Sequence, residues 1–258
     1  MSSFAPDNRI YEYDGSMEGL FTCFSLLLQS RIMPFDIAPP SRPQLSLFSE
    51  SVAVSTDVER AYAMASEMRR FFGNDEFERL RMTYFSSAED KEMIAFRYIA
   101  LACDKGKFTW CDLTNPVVAE YEKTWRAVCN ERHKMLQFAR FSKMEGGVYF
   151  AKINPNANVV PLIMQHFAKR FNTQAFMIYD EVHKLAGISQ GGEWSLVDGS
   201  NLTIPDVAED ELAYQSMWRT FYDCICNEQR INPRVRMNFM PKKYWRNILE
   251  VSDQLPAE

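Results

Sequence analysis

The spacing of apolar residues changes character along the chain, and three textures follow one another. Up to about residue 136 they recur mainly every three or four positions, as in amphipathic helices. Arg9 to Tyr13 reads as a short strand, and the turn Asp14, Gly15, Ser16 can cap a helix from Met17 to Gln29. Pro34, Pro39, Pro40 and Pro43 predict an extended connection over residues 33–50, with a strand at Val52 to Val54 after it. Thr56 and Glu59 have the spacing of a capping box and open a helix with Ala61, Met64, Ala65, Met68 and Phe72 on one face, stopped by Gly73. Helices near Asp75 to Phe85 and Ala88 to Asp104 follow, the second with Met93, Phe96, Ile99 and Ala100 inward. Asn115 and Pro116 then start a long helix with Val118, Tyr121, Trp125, Val128 and Cys129 on its buried stripe.

Beyond Leu136 the runs shorten. Gln137 to Met144 and Val148 to Ile153, separated by Glu145, Gly146 and Gly147, predict a hairpin. A helix over about 158–170 comes next, then strands at Ala175 to Tyr179, Leu185 to Ile188 and Glu193 to Val197, the last two joined at Gly191 and Gly192. The third texture is helical again. Residues 208–228 carry Leu212, Met217, Trp218, Phe221, Tyr222 and Ile225 as an expected core stripe, and Pro241 starts a short helix with Tyr244, Trp245, Ile248 and Leu249. The fold class expected is α+β: a helical N-terminal half, an antiparallel sheet of about five strands with a covering helix, and C-terminal helices. One continuous domain over 1–258 is expected, with a division into 1–136, mainly helical, and 137–258, sheet plus C-terminal helices, as the alternative.

Composition narrows the function classes. An apolar fraction of 47% in 258 residues supplies a substantial core and excludes general disorder. The first residues lack a basic start followed by an apolar run, and the stretch around Gly19 to Leu28 is too short to span a bilayer, so a cytoplasmic protein without membrane contact is expected. The six cysteines are irregularly spaced and suit reduced core thiols. Cys224 and Cys226 point to different helix faces, and no metal or other cofactor is expected. A net charge of −5 weakens any uniform attraction to nucleic acid, so contact with it would have to be local.

Two features could provide such local function. In the proline-bounded linker, Gln44, Leu45, Ser46, Leu47 and Phe48 resemble the peptide with which bacterial replication and repair proteins hold the sliding clamp. Leu47 and Phe48 would enter an apolar groove while Gln44 hydrogen-bonds at its edge. The alternative is that Leu45, Leu47 and Phe48 pin a long connection onto this chain's own core. Near the C-terminus, Arg230, Arg234, Arg236, Lys242, Lys243 and Arg246 occur without an intervening acid and with Phe239, Tyr244 and Trp245 among them, a composition suited to phosphate contact and base stacking. The alternative there is a solvated face over aromatic core anchors.

A third group, Arg140, Phe141, Tyr149, Phe150 and Lys152 with Lys169 and Arg170, stands on the predicted sheet region, where aromatics facing the covering helix are the simpler explanation. Candidate catalytic residues are Asp14, His133 and Asp180, with His166, His183 and Glu131 the other polar groups available for acid–base or metal chemistry. The chain has no H-E-x-x-H, G-x-S-x-G, P-loop or glycine-rich dinucleotide fingerprint.

Several stretches in order, YDGSMEGL, SLF, ERHKMLQFARF, GGVYFAKINP, PLIMQHFAKRF, MIYD and MWRTFYDCICNEQRINPRVRMNFMPKKYW, resemble a bacterial family of DNA-metabolism and DNA-repair proteins of unassigned function. The resemblance covers almost the whole chain. It implies a role beside a radical-SAM protein acting in DNA modification or repair, and a connection with uracil-DNA glycosylase-like domains, to which the same domain is found fused. This chain has no C-x-x-x-C-x-x-C pattern to hold a radical-SAM cluster of its own. The expected function is therefore a nucleic-acid-binding accessory protein of DNA repair, recruited by the sliding clamp if the linker peptide serves. A metal-dependent hydrolase or nuclease using Asp14, His133 and Asp180 is one alternative, and a non-catalytic structural partner of the radical-SAM enzyme is the other.

Overall fold

A computed structural model describes residues 3–40, 42, 50–204, 206–225 and 232–251, the side chains of residues 107 and 108 apart. The chain forms two compact units, Met1–Val128 and Cys129–Glu258.

The first unit is built around a short parallel sheet. Strand β2 (Ile10–Glu12) lies between β4 (Asp36–Ala38) and β5 (Ser51–Ala53), with Ile10 opposite both Asp36 and Ser51. A smaller parallel pair joins β1 (Ala5–Pro6) to β3 (Ile32–Met33). Parallel pairing follows from the connection, because helix α1 (Met17–Gln29) carries the chain back before β4 begins. Ser16 caps α1, its Oγ accepting from the Gly19 amide at 2.9 Å, and Leu20, Phe21, Cys23, Phe24 and Leu27 are buried along it. Two sequence expectations change here. The span 33–50 is not wholly irregular, since Asp36–Ala38 stands free of proline between Pro34 and Pro39 and can pair. The helix α2 (Val58–Phe72) is capped by Asp57, whose Oδ1 accepts from the Arg60 amide at 3.0 Å, while the Thr56 hydroxyl donates to Asp14.

Helices α2, α3 (Asn74–Thr83) and α4 (Lys91–Lys105), followed by a 3-10 turn at Lys107–Cys111, complete the unit with the first part of α5 (Pro116–Phe138). Met93, Phe96, Ile99 and Ala100 of α4 are buried as their spacing predicts, and each side chain the size of Phe96 stabilises by about 1.5–3 kcal/mol on burial. Tyr98 and Tyr121 stack at 3.8 Å between centroids. The Glu92 carboxylate is fully buried and meets the Tyr13 hydroxyl and the Arg42 guanidinium, which also reaches Asp36.

The second unit contains a five-stranded sheet in the order β10-β9-β8-β7-β6. The strands are β6 (Ser142–Lys143), β7 (Tyr149–Ile153), β8 (Phe176–Asp180), β9 (Leu185–Gln190) and β10 (Glu193–Asp198). Glycines 146 and 147 make the β6–β7 turn and glycines 191 and 192 the β9–β10 turn, all with positive φ. The sheet is mostly antiparallel, but β7 and β8 pair in parallel, because α6 (Val160–Arg170) returns the chain between them. Helix α6 covers one face closely enough that a side chain at Gly187 would collide with Met164. Phe167 of α6 joins Phe141, Phe171 and Phe176 in an aromatic cluster in which Phe141 meets the other three edge to face.

The C-terminal helices differ from expectation. Helix α7 (Glu209–Ile225) contains no buried residue: of the expected core stripe, Leu212, Met217, Trp218, Phe221 and Ile225 are exposed and Tyr222 is half-buried. Its contacts run through polar groups, with Asp210 on Lys143 and Gln215 on Ser142. A helix absent from the sequence reading, α8 (Pro233–Phe239), precedes a 3-10 helix at Lys242–Asn247. Among the described residues no helix is long and apolar enough to cross a membrane.

Candidate nucleic-acid interface

The basic segment begins with a well-formed helix start. Asn232 caps α8, its side chain accepting from the Val235 amide at 3.1 Å, and Pro233 occupies the first helical position, where no amide hydrogen is needed. After α8, Tyr244, Trp245 and Ile248 turn inward and are buried, and the Trp245 indole donates to the Met240 carbonyl at 2.8 Å. These apolar anchors fix the segment, and Lys242 and Arg246 beside them are exposed.

Polar contacts hold it further. Glu131, on α5, accepts from Lys243 Nζ at 2.9 Å and from the Asn156 amide at 2.7 Å. Burial pushes the Glu131 carboxyl up, but the Lys243 ammonium and the Asn156 amide outweigh it and hold the group below the usual carboxylate range, with a smaller contribution from the Tyr244 hydroxyl, whose geometry falls short of a hydrogen bond. Asn154 donates to the Lys243 carbonyl at 2.7 Å.

The cations fall into two sets. Lys243 is engaged by Glu131, and Arg140 by Glu250 through Nε at 3.1 Å and Nη2 at 2.8 Å, so these two are structural ties. Arg234, Lys242 and Arg246 are exposed and Arg236 is half-buried. Arg236 and Lys242 lie over the Trp245 ring at 5.4 and 5.8 Å from its centroid, a cation–π arrangement that limits their wandering. Phe239 at the end of α8 is 75% exposed. Tyr244 and Trp245 are thus core anchors, and Phe239 is the aromatic side chain the segment presents. Arg230 and the linker residues Gln44, Leu45, Leu47 and Phe48 lie outside the described residues.

A family model for a domain of unknown function, DUF4130, matches residues 89–250, more than half of the chain. The chain belongs to that family. No curated protein and no solved structure matches it. The DUF4130 match runs from just before α4 through the C-terminal 3-10 helix, so it includes the whole basic segment, its anchor Glu131 and the Arg140–Glu250 tie, and excludes Asp14 and the linker peptide.

The catalytic candidates are each engaged by near neighbours. Asp14 accepts from Ser16, through its amide at 2.9 Å and its hydroxyl at 2.5 Å, and from the Thr56 hydroxyl at 2.8 Å; these bonds hold its carboxyl below the usual range. His133 Nε2 meets the Gln137 side chain at 2.8 Å on the exposed side of α5. Within the DUF4130 region, Asp180 is buried at the end of β8, where Oδ1 accepts from the Val182 and His183 amides and Oδ2 meets His183 Nδ1 at 2.6 Å. Among the described residues no hydrogen bond or ion pair joins His133 to Asp180, and no group of three His, Cys, Asp or Glu side chains is arranged to hold a metal ion. The Asp180 contacts close the β8–β9 turn, in which Lys184 has φ 52°. Of the sheet candidates, Phe141 packs inward and Lys152 pairs with Glu181 at 2.7 Å.

Sequence reasoning missed Glu250 as the partner of Arg140 and the exposure of Phe239. The first is a contact over 110 positions with no local signal. The second had one, since Phe239 lies outside the spacing that joins Tyr244, Trp245 and Ile248.

Proposed function

We propose that this chain is a nucleic-acid-binding accessory protein of DNA metabolism that contacts phosphates through its C-terminal basic segment. One observation carries the reading: in a chain of net charge −5, Arg234, Lys242 and Arg246 stand exposed on a segment whose aromatic residues Tyr244 and Trp245 anchor it from beneath. A chain this acidic would repel a polyanion on average, so a cluster of cations held on a fixed support is suited to local phosphate contact.

The test is fluorescence anisotropy of labelled DNA against the full chain at about 50 and 200 mM salt. Three phosphate contacts predict a slope of log affinity against log salt of about −2 to −3. An Arg234→Ala, Lys242→Ala, Arg246→Ala variant should lose most of the binding and flatten the slope. Binding that is equally strong in this variant, or absent from the native chain at low salt, would sink the reading.

A second reading, a non-catalytic partner of a radical-SAM enzyme, draws support from α7, whose Met217, Trp218, Phe221 and Ile225 form an apolar stripe exposed along the helix. Copurification of the two proteins without DNA affinity, lost on Met217→Ser with Phe221→Ser, would favour it.

A further inference from the structure

We infer that the basic segment takes single-stranded nucleic acid, with an unpaired base stacked on Phe239. The inference rests on the proposed phosphate contact and names the class of polymer it serves. Phe239 is 75% exposed, the most exposed of the large hydrophobic side chains described, and it ends the helix that carries Arg234 and Arg236. Its ring has no aromatic neighbour among the described contacts, whereas Trp245, in the 3-10 turn that follows, is buried and already covered by Arg236 and Lys242.

An exposed aromatic ring on the same short helix as Arg234 and Arg236 offers a base a face to stack on. In a duplex the base faces are stacked on each other and only their edges reach the grooves. In a single strand each base offers a free face, and stacking on a protein ring is tolerant of sequence. Charge complementarity favours a polyanion over an apolar protein partner at this position, since no acid intervenes between Arg234 and Leu249 in the sequence. The supporting surface is also pre-formed: Glu131 and Asn154 hold the Lys243 turn, and Arg236 rests on Trp245, so little ordering is left for binding.

The experiment compares a labelled 20-nucleotide oligothymidylate with a duplex of equal length, using the full chain, Phe239→Ala, Phe239→Tyr and the triple cation variant. The expected result is preferential binding of the single strand. Phe239→Ala should weaken it by about 5- to 150-fold with an unchanged salt slope, and Phe239→Tyr should retain it. Because the side chain is exposed, the alanine variant should unfold at the native temperature, which removes misfolding as an explanation. Equal affinity for duplex, or Phe239→Ala binding as tightly as the native chain while the cation variant is impaired, would overturn the single-strand inference and leave phosphate contact standing. Absence of binding to either polymer at low salt would overturn both and turn the exposed face over to a protein partner.

Discussion

Replacing Glu131 tests whether the basic segment is held in place by the contacts described. The carboxylate accepts from Lys243 Nζ at 2.9 Å and the Asn156 amide at 2.7 Å, and its side chain is 9% exposed. The Lys243 side chain is about one third exposed and rehydrates when its partner is lost, so that pair is worth about 0–1 kcal/mol. The amide bond to a charged acceptor is worth about 1.5–3 kcal/mol. Glu131→Ala should therefore destabilise by about 2–3 kcal/mol, and Glu131→Gln, which keeps an acceptor for the amide, by about 1 kcal/mol. The pH dependence has a defined sign. A carboxyl held below its unfolded value contributes stability that is present above the unfolded value and is lost as pH falls through the lowered folded one. The gap between native and Glu131→Gln proteins should then be constant from about pH 5 to 7 and shrink below about pH 4, where carboxylates ordinarily titrate. Guanidinium unfolding followed by tryptophan fluorescence reads the cost, and amide exchange over Lys242–Asn247 reads the local release. A cost under about 0.5 kcal/mol for alanine, or a gap that does not shrink in acid, would refute the anchoring.

Other contacts have consequences of their own. Arg42→Ala strands the fully buried Glu92 carboxylate with the Tyr13 hydroxyl, and thermal unfolding should report a loss of about 3–5 kcal/mol, against about 0–1 for the exposed Arg9→Ala. Gly187→Val drives a side chain into Met164 and should cost about 1–3 kcal/mol in denaturant titration, partly relieved by Met164→Ala in the same chain. Met217→Ser with Phe221→Ser on the exposed α7 should leave the unfolding midpoint within about 0.5 kcal/mol of native, whereas a loss of several would mean the stripe is buried after all.

The periodicities that place most elements act over a few residues, which is why they could be read directly. Met93, Phe96, Ile99 and Ala100 point inward because helical spacing leaves no other consistent face. Gly146–Gly147 and Gly191–Gly192 mark their turns because positive φ is accessible to glycine. What was not legible depends on partners distant in sequence. The apolar stripe of α7 obeys the same spacing as that of α4, and spacing alone does not say whether a stripe meets the chain's own core. The parallel β7–β8 pair follows from where α6 returns, a matter of topology rather than strand pattern. Thr56 lost the capping role to Asp57 because both are competent caps and Asp14 was there to accept the Thr56 hydroxyl.

The candidate site follows the same division between local and distant causes. Its composition was visible as a run of cations without acids, but composition could not separate Lys243, which Glu131 takes, from Lys242, which stays exposed one position earlier. Two adjacent lysines differ in role because a 3-10 turn sends consecutive side chains about 120° apart, one back toward α5 and the other out beside Trp245. The same turn buries Tyr244 and Trp245 and so removes from the surface the two rings that the sequence offers most conspicuously. A phosphate-contacting segment in an acidic chain needs this separation: without inward anchors the cations would be on a loose strand and lose side-chain and backbone entropy on every contact. With them, few cations suffice, and the remaining affinity has to come from something other than charge, which is the part left to the exposed ring of Phe239.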